Sequence, residues 1–168
     1  RISAELKAPQ LLIGGLAVNQ YNVTRQSQDI DIICDHQIVT ELVDSLYKTT
    51  EWIIEETNQD EYRPSFSIKH KTNDEYPIIK IGPKILERGA YKYLNWDKLK
   101  EDAIPFEHNN KKHSNILVPS LEGLCYSKLV SFIGRAQHQK DKLSQDIRDI
   151  CELTNCDSFR LGVLLNFI

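Results

Sequence analysis

Asp29 and Asp31 stand one residue apart in the run Asp29-Ile30-Asp31-Ile32-Ile33, and acidic side chains at that spacing can hold a metal ion. Successive side chains of a strand point to opposite faces, so the two carboxyls share one face, with Cα atoms about 7 Å apart, while Ile30 and Ile32 bury on the other. Upstream, the apolar run Leu11-Leu12-Ile13 ends in Gly14-Gly15, and a short helix-capable segment leads on to Arg25 and Ser27. Two carboxylates on a rigid strand, facing a glycine-rich phosphate loop, are what divalent-metal phosphate transfer requires. Each half has a plainer meaning. Asp-Xaa-Asp is common on a solvated edge strand, and Gly-Gly is usually a turn. The order of the parts favours chemistry: apolar strand, Gly-Gly, helix, Arg-Xaa-Ser, acidic strand.

The elements that must position these groups are legible from periodicity. A strand at 11–13 leads into a helix at 15–21, whose first amides would face an anion. A strand at 28–34 follows. Ile38, Val39, Leu42, Val43, Leu46 and Tyr47 recur at helical spacing and predict an amphipathic helix over 37–48. Strands are expected at 52–55, 65–70 and 76–81, the last stopped by Gly82-Pro83. This alternation argues for an α/β layer with a small mixed sheet and flanking helices. After about residue 95 the pattern reads as mostly helical. Ser120 is a candidate N-cap for a helix through Leu121, Leu124, Cys125, Lys128, Leu129 and Phe132. Two more helices are expected over 139–153 and from Ser158 onward. The division is therefore an α/β core at 1–95 and a helical portion at 96–168 that completes the cleft.

The 168 residues suit one domain, with a small appendage at most, and their net charge of −3 provides no general basic field for nucleic acid. Two local basic clusters stand out, Lys111-Lys112-His113 and Arg135 with Lys140 and Lys142, each most simply a solvated surface. The four cysteines form no CxxC pair and the five histidines fall at no zinc-ligand spacing, which argues against structural zinc. Cys34, Cys125 and Cys151 sit among apolar residues and read as buried thiols. No signal peptide and no apolar run of about 18 residues is present, so a cytoplasmic setting without a membrane is expected. The opening Arg1, the apolar ending GVLLNFI and the lack of methionine suggest a fragment.

Gly14-Gly15 followed by Arg25-Gln26-Ser27-Gln28-Asp29-Ile30-Asp31 resembles the nucleotidyltransferase superfamily, which has a DNA polymerase β-like fold. More narrowly, it looks like the abortive-infection toxin nucleotidyltransferases. The resemblance implies Mg²⁺ or Mn²⁺ on Asp29 and Asp31, and a nucleoside triphosphate bound by Gly14, Gly15, Arg25 and Ser27. It also implies transfer of a nucleoside monophosphate to an acceptor hydroxyl. The toxin branch suggests an RNA or tRNA end as acceptor and an inhibitory partner protein. An antibiotic-like small molecule is the alternative acceptor, and a catalytically lapsed nucleotide-binding or protein-interaction module is the rival from another class.

In this branch a helical lysine and a downstream Asp-Xaa-Xaa-Asp complete the site, and the segments around Lys128 and around Asp146 and Asp149 look like those motifs. Residues three and four apart share a helix face, so Lys128, Ser131 and Arg135 line up, although Arg135 alone reads as solvated. Lys128 lies near an apolar face, where desolvation suits a lysine to proton work. On the second helix, taking Leu143, Ile147, Ile150, Cys151 and Thr154 as the apolar stripe puts Asp146 roughly 80° from its centre and Asp149 nearer solvent. Asp146 is then the better candidate for the cleft. The chain departs from the family in two places. Lys80 stands where many members carry a third acid, which weakens a second-metal site and leaves Asp146 or Lys128 to act as base. Gly15 replaces a serine found in some relatives, so phosphate contact there rests on backbone N–H groups.

Overall fold

The apolar run before Gly14 forms an interior strand of a mixed sheet, next to the acidic strand at its centre. The computed structural model describes residues 9–168 apart from 22, 24, 28, 49–50, 59–64, 74, 84–91 and 136–139. In chain order the elements are β1 (Gln10–Ile13), α1 (Gly14–Asn19), β2 (Asp29–Cys34), α2 (His36–Tyr47), β3 (Trp52–Asn58), β4 (Ser65–His70) and β5 (Ile78–Pro83). They continue with α3 (Trp96–Glu101), β6 (Ile104–His108), β7 (Lys111–Val118), α4 (Leu121–Arg135), α5 (Lys140–Thr154) and α6 (Leu161–Leu165). The seven described strands lie in the order β3-β4-β5-β2-β1-β7-β6. β2 runs antiparallel to β1 and parallel to β5, and β1 runs parallel to β7.

Register decides which side chains share a face. Asp29 pairs with Ile78 and Asp31 with Lys80, so these four project to one side of the sheet. Ile30 and Ile32 pair with Ile79 and Ile81, and Ile79 continues to Ile68 on β4, so this apolar set occupies the other side. There α2 packs against β3 and β5, with Ile38, Val39 and Val43 buried. The alternation anticipated for β2 is thus realised, with one face in the core and one facing the chemistry.

The expectation that 96–168 is helical is corrected. β6 and β7 lie in that stretch, and β7 sits directly beside β1 in the same sheet. Pro105 and the polar residues around the turn hide the strand periodicity. The turn itself carries a local signal: Asn109 and Asn110 adopt φ of 49° and 60°, the left-handed pair a tight hairpin needs. The helices that follow agree with expectation. Ser120 caps α4 by accepting the Gly123 N–H at 3.2 Å. α4 is buried almost all round over its first two turns, wedged among α3, α5 and α6. Gly123 is the point of closest approach, since an added Cβ would lie 3.2 Å from Leu99 and 3.3 Å from Phe167. No helix among the described residues is long and apolar enough to cross a membrane. Gln28, within the run from Arg25 to Asp31, lies outside the described residues.

Candidate active site

The chain reverses at Gly14 because only a glycine fits there. Its φ is +75°, and a Cβ would stand 2.2 Å from the Asp31 Oδ2. Backbone and carboxylate are therefore brought together as the spacing implied. A Cβ on Gly15 would meet Arg25 Cζ and Ser27 Oγ, each at 2.9 Å. The loop carrying Arg25 is fastened to α1 by Asn19, whose amide donates to the Arg25 carbonyl at 2.7 Å and accepts the Arg25 N–H at 3.0 Å. Ser27 Oγ donates to the Asp29 carbonyl at 2.8 Å, so its proton goes to the backbone and only its lone pairs face the cleft.

A cleft of about 400 Å³ gathers these groups. Gly14, Gly15, Arg25, Ser27, Asp29 and Asp31 line it from the first half of the chain, together with Lys80; Lys128, Arg135, Lys142, Gln145 and Asp146 line it from the second. Every residue expected at the site from the sequence lies on its wall. A larger opening of about 720 Å³ near Tyr21 and Glu152 is lined by none of them.

The two halves meet through buried charge. Asp149 has no exposed surface and is held by Arg25, by Lys128 Nζ at 2.7 Å and by the Gln145 amide at 2.9 Å. Asp146, 1% exposed, accepts two hydrogen bonds from Arg135 Nη1, both 2.8 Å. These contacts correct two expectations. Asp149 does not face solvent; the inward face of α5 is Asp146, Asp149, Ile150 and Leu153, while Ile147 is 48% exposed and Cys151 is exposed as well. The apolar stripe misled because ion pairs, not methyl groups, decide which face turns inward. Arg135 is no solvated ornament, since it lines the cleft. Lys128 is buried, as its place near an apolar face implied, and it is paired with Asp149. Asn19 and Gln145 are additions from the structure, each polar residue acting through a partner four to six positions along the chain, and Lys142, read from the sequence as solvated surface, lines the cleft.

The acidic pair is unequal. Asp29 forms an ion pair with Lys80, which extends from the neighbouring strand opposite Asp31. Asp31 forms no hydrogen bond or ion pair with the described residues. Burial raises its pKa above the usual carboxylate value; Lys80 opposes that shift, Asp29 adds to it, and Lys128 and Arg135 oppose it again. Such a carboxylate, half-buried and without a direct ion pair among the described residues, could serve a hard cation as an oxygen donor together with Asp29 beside it. Among the described residues no group of three or more His, Cys, Asp or Glu is placed to hold a metal ion.

No family model matches the chain, and no curated protein matches it in sequence. Solved structures do match in shape. The crystal structure of ANT(2")-Ia in complex with adenylyl-2"-tobramycin aligns with a TM-score of 0.65 and 15% identity, over 99% of this chain and 88% of that one. The chain has the nucleotidyltransferase fold. The lincosamide antibiotic adenylyltransferase LnuA, lincomycin-bound, aligns at TM-score 0.55 and 20% identity, over 90% of this chain and 89% of its own. The Megavirus polyadenylate synthase aligns at TM-score 0.56 and 13% identity over 92% of this chain, but only 29% of that larger protein.

Proposed function

We propose that the chain is a divalent-metal-dependent nucleotidyltransferase, moving a nucleoside monophosphate from a nucleoside triphosphate to an acceptor hydroxyl. The observation that carries this reading is Asp31, a half-buried carboxylate with no hydrogen-bond or ion-pair partner among the described residues, set against Gly14 and facing a cleft lined by five cationic side chains. Asp29 and Asp31 are the residues to hold Mg²⁺ or Mn²⁺, and the bound ion supplies charge neutralisation at the phosphates. Gly14 and Gly15 let Asp31, Arg25 and Ser27 close against the backbone of the loop, which gathers the carboxylate and the guanidinium where phosphate oxygens would meet backbone N–H groups. Arg135, clamped by Asp146, and Lys128, clamped by Asp149, present fixed positive charge without having to reorganise when an anion arrives. Arg25 is oriented the same way by Asp149. The acceptor oxygen attacks the α-phosphorus, the bond to the β-phosphate oxygen breaks, pyrophosphate leaves, and the hydroxyl proton passes to solvent. Catalysis is then mainly positioning and charge neutralisation.

The buried clamps bear on the choice of base. Asp146 is engaged through both oxygens by Arg135, so it serves to position that cation and not to take a proton. A small hydroxyl-bearing acceptor is the better supported class. The two antibiotic-directed neighbours match this chain over nearly their whole length, whereas the polyadenylate synthase shares only a core. An RNA end acted on by a toxin-like enzyme with an inhibitory partner is the second reading, supported by the Arg25-Gln26-Ser27-Gln28-Asp29 pattern. A lapsed module takes its support from Lys80, whose ammonium occupies Asp29.

Incubation with α-phosphate-labelled nucleoside triphosphates, Mn²⁺ or Mg²⁺ and a cell extract separates these readings. Label in the small-molecule fraction supports the first, and label in RNA the second. Nucleotide binding with no label in any fraction overturns the transfer reaction and leaves the lapsed module.

A further inference from the structure

Lys80 occupies a place in the site that nucleotidyl transfer does not by itself require. It sits on β5 in register with Asp31, on the same face of the sheet, and its ammonium pairs with the Asp29 carboxylate. The side chain is 46% exposed and the Asp29 side chain 33%, so the pair lies open at the mouth of the cleft and not locked within it. The contrast with the rest of the site is sharp. Lys128 and Arg135 are clamped by Asp149 and Asp146, carboxylates that are themselves buried. Lys80 alone among the described cations of the cleft takes its counter-charge from the strand pair that the reaction needs.

We propose that Lys80 is a displaceable internal counter-ion, one that keeps divalent cations out of the empty site and makes their binding depend on the nucleotide. The inference rests on the reading of Asp29 and Asp31 as the metal-holding pair. With Lys80 on Asp29, the three side chains Asp29, Asp31 and Lys80 carry one net negative charge, a weak lure for a divalent ion. A nucleoside triphosphate entering the cleft brings phosphate oxygens within reach of the same flexible ammonium. Lys80 transfers its charge to them, and Asp29 is released to join Asp31. Nucleotide and metal thereby favour each other's binding, and by linkage the coupling is reciprocal. The physical basis is simple exchange: a long, exposed lysine side chain moves cheaply between two anions, whereas an ammonium and a divalent cation on one carboxylate repel.

The test is direct binding of Mn²⁺, read by electron paramagnetic resonance and calorimetry, without nucleotide and with a non-hydrolysable triphosphate analogue. Lys80→Met keeps the stem and removes the charge. Lys69→Met removes the same charge from the same face of the sheet, where Lys69 pairs with Glu55 and not with the acidic pair. Without nucleotide, Lys80→Met is expected to bind Mn²⁺ at least about tenfold more tightly than the wild type. Lys69→Met stays within about twofold of it. The enhancement by the analogue shrinks in Lys80→Met and persists in Lys69→Met. Lys80→Gln, with thermal midpoints for every variant, guards against a folding defect specific to methionine. Equal or weaker Mn²⁺ binding by Lys80→Met and Lys80→Gln overturns the proposal, as does an equal gain in Lys69→Met. Mn²⁺ binding that survives Asp29→Asn and Asp31→Asn fails at an earlier step, because the pair is then not the metal site at all.

Discussion

Removing the Asp149 carboxylate is the perturbation whose cost the structure defines best. Asp149 lies at the junction of the two halves, fully buried, with Arg25 and Lys128 both discharging onto it and the Gln145 amide donating to its other oxygen. In Asp149→Ala, Lys128, whose side chain is 8% exposed, is left as a buried cation without its counter-charge. Breaking a buried pair in this way costs about 3–5 kcal/mol. Arg25 is more accessible and can turn to water, so it adds little. For a chain of this size the loss corresponds to a fall in Tm of roughly 6–20 °C. Urea unfolding followed by circular dichroism measures it, with an unchanged slope showing that the denatured state is the same. The double variant Asp149→Ala/Lys128→Met removes the orphaned cation as well, and should be less destabilised than the sum of the singles by about 1–3 kcal/mol. Glu55→Ala provides the contrast. It breaks a 2.6 Å contact to Lys69 in which both partners are about half exposed, and should cost less than about 1 kcal/mol. If Asp149→Ala lies within about 1 kcal/mol of wild type, or if it adds to Lys128→Met without coupling, the buried cluster does not hold the two halves together.

Asp29→Asn and Asp31→Asn should each abolish label transfer from nucleoside triphosphates while leaving the unfolding midpoint near wild type; full activity in both would refute the site. Gly14→Ala forces a left-handed φ on an L-residue and drives a Cβ into Asp31, so a loss of about 1–3 kcal/mol together with loss of Mn²⁺ binding is expected, read by unfolding and resonance titration. Gly15→Ala meets the flexible end of Arg25 and should cost less. Arg135→Lys surrenders the two hydrogen bonds to Asp146 and should weaken nucleotide binding about tenfold by calorimetry. Burial pushes the Cys34 thiol up to about 12 and Cys125 to about 11. The folded chain keeps protons there that the unfolded chain loses above a thiol's ordinary value of about 9, so stability should fall as pH rises from about 9 toward 11–12. Urea midpoints across that range measure it, and the exposed Cys151 should react with a thiol reagent at neutral pH well before either.

Much of the site was legible because its parts are local. A glycine pair before a helix, and acids two residues apart on a strand, define each other's geometry through backbone rules that act over a few residues. The same holds for α4, whose cap and apolar spacing are both in its sequence. What escaped detection was non-local. β6 and β7 were missed because a strand with Pro105 and a polar tip has little periodicity; pairing with β1 makes β7 a strand. Asp149 was misplaced because α5 carries apolar residues on both sides of its inner face, and a wheel weighted by hydrophobicity follows Ile147 and Cys151.

The sequence by itself determined that a glycine loop and two carboxylates would face one another, since chain geometry over some twenty residues leaves them little choice. Only the tertiary structure decided how the charges are shared out. It gave Asp149 to Lys128 and Arg25, Asp146 to Arg135, Asp29 to Lys80, and left Asp31 without a partner among the described residues. Those assignments depend on which cation lies nearest in space and which carboxylate is screened from water. Coulomb energy in a partly dry cleft acts over a few ångströms, whatever the distance along the chain.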